Sequence, residues 1–146
     1  MGFIDWLSGG EKGKEEAKAV QGKILAKPFR ISMSFTPLRL SSRKSNSVNL
    51  NITLTNVTKD PQLVSVDVML PKNAYMGFEP SCINKVFEKR LGEIPSGQTV
   101  TVAVPIWGGT QTTPDDHEIN ITAYAHYIGY EKVLTYMTTK TKLRIV

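Results

Sequence analysis

Apolar and polar residues alternate through five separate stretches of the chain, and no other feature of the sequence constrains the fold as strongly. In each stretch an apolar residue recurs at every second position. Successive side chains of a β-strand point to opposite faces of a sheet, so this period predicts strands with one buried face and one exposed face. The alternating stretches are residues 29–35, 48–55, 64–70, 100–106 and 119–127.

Two further segments favour strands, and turn-forming sequences separate all of them. "NKVFEKRL" is weakly patterned, and "KVLTYMTTKTKLRIV" is rich in β-branched and aromatic residues. Turns are indicated by sequences such as "TKDPQ" and "EIPSGQ". About seven strands without a helix between them predict an all-β fold, an antiparallel immunoglobulin-like β-sandwich over residues 28–146. A β-barrel is the alternative.

Residues 1–27 differ in composition from everything that follows. The segment is rich in Ala, Glu and Lys, which favour helices, but Gly13 and Gly22 interrupt it. We therefore expect a short N-terminal helical arm of roughly two or three turns, joined to the β-sandwich. The predicted organisation is an arm over residues 1–27 and one domain over residues 28–146.

The arm begins with a short apolar cluster, "GFIDWL". In a helix Phe3, Trp6 and Leu7 would share one face. Such a face predicts docking onto protein, either a second copy of the chain or a different partner, through Phe3, Ile4, Trp6 and Leu7. A helix this short buries little area, so a membrane contact through it would be weak and peripheral. The predicted function is a non-catalytic protein-binding or assembly module.

Net charge favours an alternative partner, nucleic acid or another anionic surface. The chain has 18 Lys and Arg residues against 13 Asp and Glu residues, a formal net charge of +5. Single-strand binders also present aromatic stacking platforms, and aromatic residues make up only 8% of this chain, so protein binding is favoured. The candidate contacts to an anionic ligand are Arg39, Arg43, Lys44, Lys140, Lys142 and Arg144.

No pattern in the sequence points to catalysis. His117 and His126 lie nine positions apart on one predicted strand, roughly 30 Å apart, so they cannot share a metal or form one catalytic pair. Residues 115–118 have metal-ligand side chains, but consecutive residues of a strand diverge to opposite faces. The sequence contains no nucleophile elbow and no phosphate-binding glycine loop. We expect no catalytic, cofactor-binding or metal site, and no enzyme.

The sequence predicts a cytoplasmic protein. Its first apolar cluster ends at Leu7, contains Asp5 and follows no basic residue, unlike a signal peptide. No apolar run approaches the ~18 residues of a transmembrane helix. Cys82 is the one cysteine, which favours a reducing compartment.

Three Asn-x-Thr triplets begin at Asn51, Asn56 and Asn120. Such triplets matter for glycosylation only after export. Without an export signal, we interpret Asn51 and Asn120 as part of the exposed faces of strands, and Asn56 as part of the turn that follows its strand.

Residues 47–127 resemble immunoglobulin-like modules of the CARDB (cell-adhesion-related) type of archaea and bacteria. The resemblance rests on "VNLNITLTNVT", "LVSVDVMLP", "RLGEIPSGQTVTVAVPI" and "DDHEINITAYAHY". It implies that Asn56 holds a turn by bonding to local backbone, that Leu91 and Ile94 close the edge of the sandwich, and that Gly97 allows a tight turn over residues 95–98. Similar modules bind or space other molecules and are usually exported, so an exported adhesion-type module is a further alternative.

Overall fold

The computed structural model describes residues 27–146, and every described element in it is a β-strand. The strands are β1 Phe29–Thr36, β2 Arg39–Leu40, β3 Asn46–Asn56, β4 Gln62–Met69, β5 Met76–Gly77, β6 Val86–Ile94, β7 Thr99–Gly108, β8 Asp115–Tyr127 and β9 Gly129–Ile145. In this range there is no helix, and so none that could cross a membrane. The predicted helical arm and its apolar cluster lie outside the described residues.

The strands form two sheets. One has five strands in the order β2-β9-β8-β4-β6, and the other has four strands in the order β1-β3-β7-β5. Neighbours are antiparallel except for β2, which runs parallel to β9. Two separate sheets around one core make a sandwich, as predicted from the alternation, and not a barrel.

The core lies between the inner faces of the two sheets, and the register explains its composition. On β3, Leu50 stands opposite Val104 of β7, so the apolar positions of both strands fall on one face. On the other sheet Val66 stands opposite Ala123. All four side chains are buried. Apolar surface removed from water in this way is the main favourable term in folding.

All seven strands expected from the sequence are present. The two additional strands, β2 and β5, have two residues each and lie within segments that the sequence marks only as turns and loops. A period cannot be seen in two residues, so no alternation could reveal them.

A buried asparagine closes the turn after β3. Asn56 is fully buried, and its amide nitrogen donates to the carbonyls of Asp60 and Ile94, each at 2.9 Å. Its amide oxygen accepts the backbone N–H of Thr58 at 2.9 Å. The implied bonding of Asn56 to local backbone is therefore confirmed.

The adjacent turn follows the same expectation. Gly97 has a φ of 76°, a left-handed conformation that suits glycine, and the N–H of Gln98 donates to the Pro95 carbonyl at 3.1 Å. Ile94 is buried, and Leu91 packs against the core. These residues close one edge of the sandwich.

The long segment between β4 and β6 packs on the sandwich. Met76 is fully buried, and the Lys85 ammonium donates to the carbonyl of Ala74 at 2.6 Å and also to that of Met76. A Cβ at Gly77 would lie 2.6 Å from the Cα of Cys82, so only glycine fits there. Part of this segment is therefore packed against the sandwich.

Candidate functional site

Chemically diverse side chains gather on the outer face of the five-stranded sheet. The alternation that buries Val64 and Val66 turns Ser65 and Asp67 outward. The register then sets Tyr124 of β8 and Arg90 of β6 on either side of Ser65. We call this surface the tyrosine face, and its members are Ser65, Asp67, Glu88, Arg90, Tyr124, His126, Tyr130 and Tyr136.

His126 is held from both sides of its ring. Its Nε2 lies 2.7 Å from the Ser65 Oγ, and its Nδ1 lies 3.2 Å from the Lys132 carbonyl oxygen. A carbonyl can only accept, so Nδ1 carries a proton, and in the neutral ring Nε2 then accepts from the serine hydroxyl. Both partners are buried, with Ser65 only 3% exposed and His126 7% exposed. The pair therefore fixes one tautomer and one ring orientation.

Aromatic rings extend this pair into a row across the sheet. The rings of Tyr136 and Tyr124 are 6.0 Å apart between centroids, and those of Tyr124 and His126 are also 6.0 Å apart. His126 meets the ring of Tyr130 edge-on at 5.1 Å. The Arg90 guanidinium lies over the Tyr130 ring, 4.7 Å from its centroid, within the range of a cation–π contact. Hydrogen bonds thus fix the row at His126, and the Arg90 cation covers it at Tyr130.

A half-buried carboxylate lies beside the row. Burial raises the pKa of the Asp67 carboxyl above its ordinary value, and the neighbouring Glu88 carboxylate raises it further. The Oδ1 atom of Asp67 is buried without a hydrogen-bond partner among the described residues. Burial also raises the pKa of the Tyr124 hydroxyl, with the Asp67 carboxylate as the second cause.

A groove of roughly 560 Å³ begins where the tyrosine face ends. His126 belongs to both. The groove has two carboxylates, Asp60 and Glu93, and an apolar rim, because Ile128 is 83% exposed and Leu134 is 59% exposed. The lining residues are Asp60, Pro61, Gln62, Leu63, Glu93, His126, Tyr127, Ile128 and Leu134.

Sequence reasoning missed this site for an identifiable reason. Ser65 and His126 are 61 positions apart, and only the pairing of β4 with β8 brings them together. The expectation that the histidines cannot form a pair with each other does not extend to a pair between histidine and serine. The available signal was the presence of Tyr124 and His126 at consecutive outward positions of one strand.

The six basic residues predicted to contact an anionic ligand are all exposed, and they lie at the other end of the same sheet. Arg39 of β2 stands beside Arg144 of β9. The loop that carries Arg43 and Lys44 adjoins the end of β9, since the Ser42 N–H donates to the Val146 carbonyl at 2.7 Å. The structure therefore brings the strand and loop cations to one corner of the domain.

Carboxylates neutralise part of this cationic corner. Arg144 bonds Asp116 through Nε at 3.0 Å, and this contact lowers the pKa of the Asp116 carboxyl. Lys140 lies 3.8 Å from Glu118. Asp116 and Glu118 belong to the run over residues 115–118, which forms the start of β8 and whose outward carboxylates face cations. In the described part of the chain no cluster of three metal-ligand side chains occurs.

The single cysteine is a structural thiol in this fold. Cys82 is buried, with its Sγ 3.5 Å from the Trp107 carbonyl oxygen. Burial raises the pKa of its thiol, which lowers the thiolate fraction at neutral pH.

Solved structures share this fold at low sequence identity. Native alpha-2-macroglobulin of Escherichia coli matches 83% of this chain at 16% identity with a TM-score of 0.56, and the match covers 7% of that chain. The alkylpurine DNA glycosylase AlkC of Pseudomonas fluorescens, bound to DNA with an abasic-site analogue, matches 84% of this chain and 31% of its own at 13% identity and TM-score 0.51. No protein-family model and no curated protein sequence matches the chain.

A third similar structure has nearly the same extent as this chain. AvmM, which catalyses macrocyclization in alchivemycin A biosynthesis, matches 88% of this chain and 94% of its own at 8% identity and TM-score 0.52. At such identities the likeness shows the fold alone, which is an immunoglobulin-like β-sandwich. Enzymes occur among the similar structures, so the fold does not decide the question of activity.

Proposed function

We propose that this protein is a non-catalytic protein-binding or assembly module, and that the tyrosine face and the adjoining groove bind the partner. The observation that carries the proposal is the row of aromatic rings that runs from Tyr136, 62% exposed, to the groove at His126. Tyrosine and arginine are the residue types that dominate binding energy at protein interfaces, because they bury large rigid surfaces and still form hydrogen bonds.

The groove suggests the chemistry of the bound segment. Its apolar rim at Ile128 and Leu134 suits aliphatic side chains, and its carboxylates at Asp60 and Glu93 suit a cation. A peptide that combines aliphatic and basic residues meets both requirements.

Affinity capture with matched variants tests this proposal. The double variant Leu134→Ser/Tyr136→Ala removes exposed apolar surface from the site, and Thr101→Ala changes the outer face of the other sheet. We expect a partner that wild type and Thr101→Ala retain in equal amounts and that the double variant loses by tenfold or more. Equal retention by all three proteins would contradict the proposal.

The N-terminal arm supplies a second contact in this proposal. We propose that residues 1–27 form an arm ahead of a domain at residues 28–146, and that Phe3, Ile4, Trp6 and Leu7 bind a second protomer or a partner. The support is the apolar cluster on an otherwise charged segment. Deletion of residues 1–9 should weaken self-association or partner binding, as measured by light scattering and capture. An unchanged mass and an unchanged set of partners would exclude this role.

A second candidate function is binding to an anionic surface at the cationic corner. The observation that favours it is the meeting of Arg39, Arg43 and Lys44 with the last strand. Retention on heparin or single-stranded nucleic acid should fall steeply with salt, and the double variant Lys140→Glu/Lys142→Glu should abolish it. The double variant Lys59→Glu/Lys89→Glu, which reverses two exposed lysines away from this corner, is the matched control. Retention that does not respond to salt would reject this candidate.

Absence of catalysis stays a prediction. Ser65 and His126 have the donor and acceptor arrangement of a nucleophile and a base, but Ser65 is too deeply buried for a substrate to reach its hydroxyl in this conformation. We assign the pair to the positioning of the His126 ring. A fluorophosphonate probe should leave Ser65 unlabelled, and labelling that is lost in Ser65→Ala would show an active nucleophile.

We propose cytoplasmic localisation and a module of the CARDB type, with an exported adhesion-type module as the alternative. The turn at Asn56 and the corner at Ile94 support the CARDB type, since both follow the pattern of that family. Intact mass from the native host separates the two locations. Export into a glycosylating compartment would add hundreds of daltons at the Asn-x-Thr triplets, and an unmodified mass is expected for a cytoplasmic protein.

A further inference from the structure

Strand β1 has one free edge. It pairs with β3 along its whole length, from Phe29 opposite Asn56 to Thr36 opposite Asn49, and within residues 27–146 no strand pairs with its other side. A free edge presents a row of unpaired N–H and C=O groups, which is a template for a further strand.

The pattern of backbone hydrogen bonds between β1 and β3 shows which backbone groups of β1 are free. The Val57 N–H donates to the Pro28 carbonyl at 3.1 Å, so residue 28 and every second residue after it point their backbone groups towards β3. The N–H and C=O groups of the other set point outward, away from the sheet. That outward set is Phe29, Ile31, Met33 and Phe35.

The opposite sheet has an edge strand that is protected. β6 carries Glu88, Lys89 and Arg90 in succession, and its register with β4 shifts near Gly92, which has a φ of 78°. Charges and bulges of this kind prevent pairing of exposed edges. On β1 the register with β3 is unbroken, and Arg30 is the only charged residue.

The side chains of β1 are also incompletely covered. Ile31, Met33 and Phe35 pack against the core but remain half-buried. An additional strand beside β1 would cover them from the open side. Pro28 and Pro37 lack N–H groups and flank the strand, so pairing is confined to residues 29–36.

We propose that the free edge of β1 pairs antiparallel with β1 of a second copy, about a two-fold axis at Ser32. Residues opposite each other in such a pair point to the same face. The two-fold therefore sets Phe29 against Phe35 of the second copy, and Ile31 against Met33 of the second copy, on the inner face.

The same register pairs the free backbone groups and keeps like charges apart. All outward N–H and C=O groups enter the new ladder, with about eight hydrogen bonds in total. Arg30 meets Ser34 of the second copy, so its charge never faces its own image. The strand is thus complementary to itself, which favours a second copy over a different protein or residues 1–26 of the same chain. The result is one continuous eight-stranded sheet built from two four-stranded sheets.

The affinity of this pairing should be modest. One strand pair buries less than the roughly 1,200 Å² of a standard stable interface. We therefore expect a dimer whose dissociation constant is on the order of micromolar, and whose population rises with protein concentration. This inference is independent of the tyrosine face, which lies on the other sheet.

Analytical ultracentrifugation of the full-length protein over a hundredfold concentration range tests the proposal. Wild type should shift from monomer to dimer. Ser32→Lys places two ammonium groups opposite each other at the two-fold and should weaken the dimer at least tenfold. Thr53→Lys is the control, because it adds the same charge to the same outer face on β3, one strand away from the edge. Thermal unfolding confirms that both variants fold.

Variants of Ser32 with opposite charges, and a cysteine at the same position, identify the partner strand and its register. Ser32→Glu alone should be monomeric, and an equimolar mixture of Ser32→Glu with Ser32→Lys should recover the dimer. Ser32 would form a non-hydrogen-bonded pair with its image, where Cα atoms are about 4.5 Å apart, so Ser32→Cys should form an intermolecular disulfide under mild oxidation. Ser34→Cys should not, because it faces Arg30.

Three outcomes would overturn the proposal: a wild-type monomer at every concentration, a dimer that survives Ser32→Lys, or a dimer that Thr53→Lys weakens equally. A dimer that survives Ser32→Lys but is lost on deletion of residues 1–9 would assign assembly to the arm instead. Loss of partner capture in the Leu134→Ser/Tyr136→Ala variant reports on the tyrosine face alone. The two ideas can therefore fail separately.

Discussion

The two outer faces of the sandwich are built on the same strand geometry and carry opposite chemistry. On the four-stranded sheet the outward residues of β3 and β7 are mostly Asn and Thr, and they make short polar contacts across strands, such as Thr55 with Thr99 at 2.8 Å. On the five-stranded sheet the outward positions hold the tyrosine face. A sheet face that contacts water needs only polar residues, and the Asn- and Thr-rich face meets that need. The tyrosine face carries aromatic and charged side chains beyond what contact with water requires.

Burial separates the two faces further. The outward residues Thr53 and Thr101 are at most half-buried, whereas Ser65 and His126 are buried although they point away from the core. The rings of Tyr124 and Tyr130 pack against His126 on this outer side. The five-stranded sheet thus has a small second layer of packed side chains. Substitutions should therefore have larger effects on this face than on the other.

The largest effect is expected for His126→Ala. The substitution leaves the buried Ser65 hydroxyl and the Lys132 carbonyl without a partner and removes ring contacts, at a cost of roughly 2–3 kcal/mol in the free energy of unfolding. Thr101→Ala on the opposite face should cost less than about 0.5 kcal/mol. Urea-induced unfolding measures both. Similar losses in the two variants would remove the distinction between the faces.

A smaller effect is expected for Arg90→Ala. The guanidinium over the Tyr130 ring is exposed, so its cation–π contact contributes about 0.5–1 kcal/mol. Arg30→Ala is the control, since Arg30 is an exposed arginine on an edge strand of the other sheet. Thermal unfolding should show a lower Tm for Arg90→Ala than for Arg30→Ala. The reverse order would show that the contact with Tyr130 contributes nothing.

A pH-dependent effect is expected for Asp67→Asn. Burial raises the pKa of this carboxyl in the folded state, so ionisation disfavours folding, and stability is lost as pH rises through the raised pKa. Asparagine removes the charge. At pH 7 it should stabilise the protein by less than about 1 kcal/mol, because the site is partly solvated.

The pH series provides the control for this prediction. The gain from Asp67→Asn should shrink in acid, where wild-type Asp67 is itself protonated. Urea unfolding at several pH values measures it. Asp116→Asn should behave in the opposite way, since Arg144 lowers the pKa of the Asp116 carboxyl. A stability gain for Asp67→Asn that is constant with pH would contradict a raised pKa of the Asp67 carboxyl in the folded state.

The smallest effect is expected on the threonine-rich face. Thr55→Ala removes one cross-strand contact between exposed hydroxyls, which contributes about 0.2–0.5 kcal/mol. The double variant Thr55→Ala/Thr99→Ala should cost little more than the single variant. A loss comparable to that of His126→Ala would show that this face is also a packed layer.

The fold could be predicted from the sequence because its signal is local. Five of the long strands show their own alternation, β9 is marked by its β-branched and aromatic residues, and Gly97 and Asn56 mark a turn within a few residues of the strand they end. The short strands β2 and β5 could not be predicted, because two residues carry no period.

The candidate site could not be predicted because its signal is not local. Arg90, Ser65 and Tyr124 belong to three strands, and whether they meet depends on register. A shift of one residue in β8 would turn Tyr124 and His126 into the core and leave Ser65 without its partner. The alternation indicates which residues face outward, but it does not indicate which of them are neighbours.

Because Asn56 is buried in its turn, glycosylation of its Asn-x-Thr triplet would report on the rate of folding. In the folded domain the side-chain nitrogen of Asn56 is enclosed and already donates to two carbonyls, so a glycan could be attached only before the domain folds. In a host that exports the protein, the transferase and the folding reaction would compete for the same nitrogen. The fraction of molecules with sugar at Asn56 would then measure how long the chain stays unfolded, and each modified molecule would be barred from the native turn.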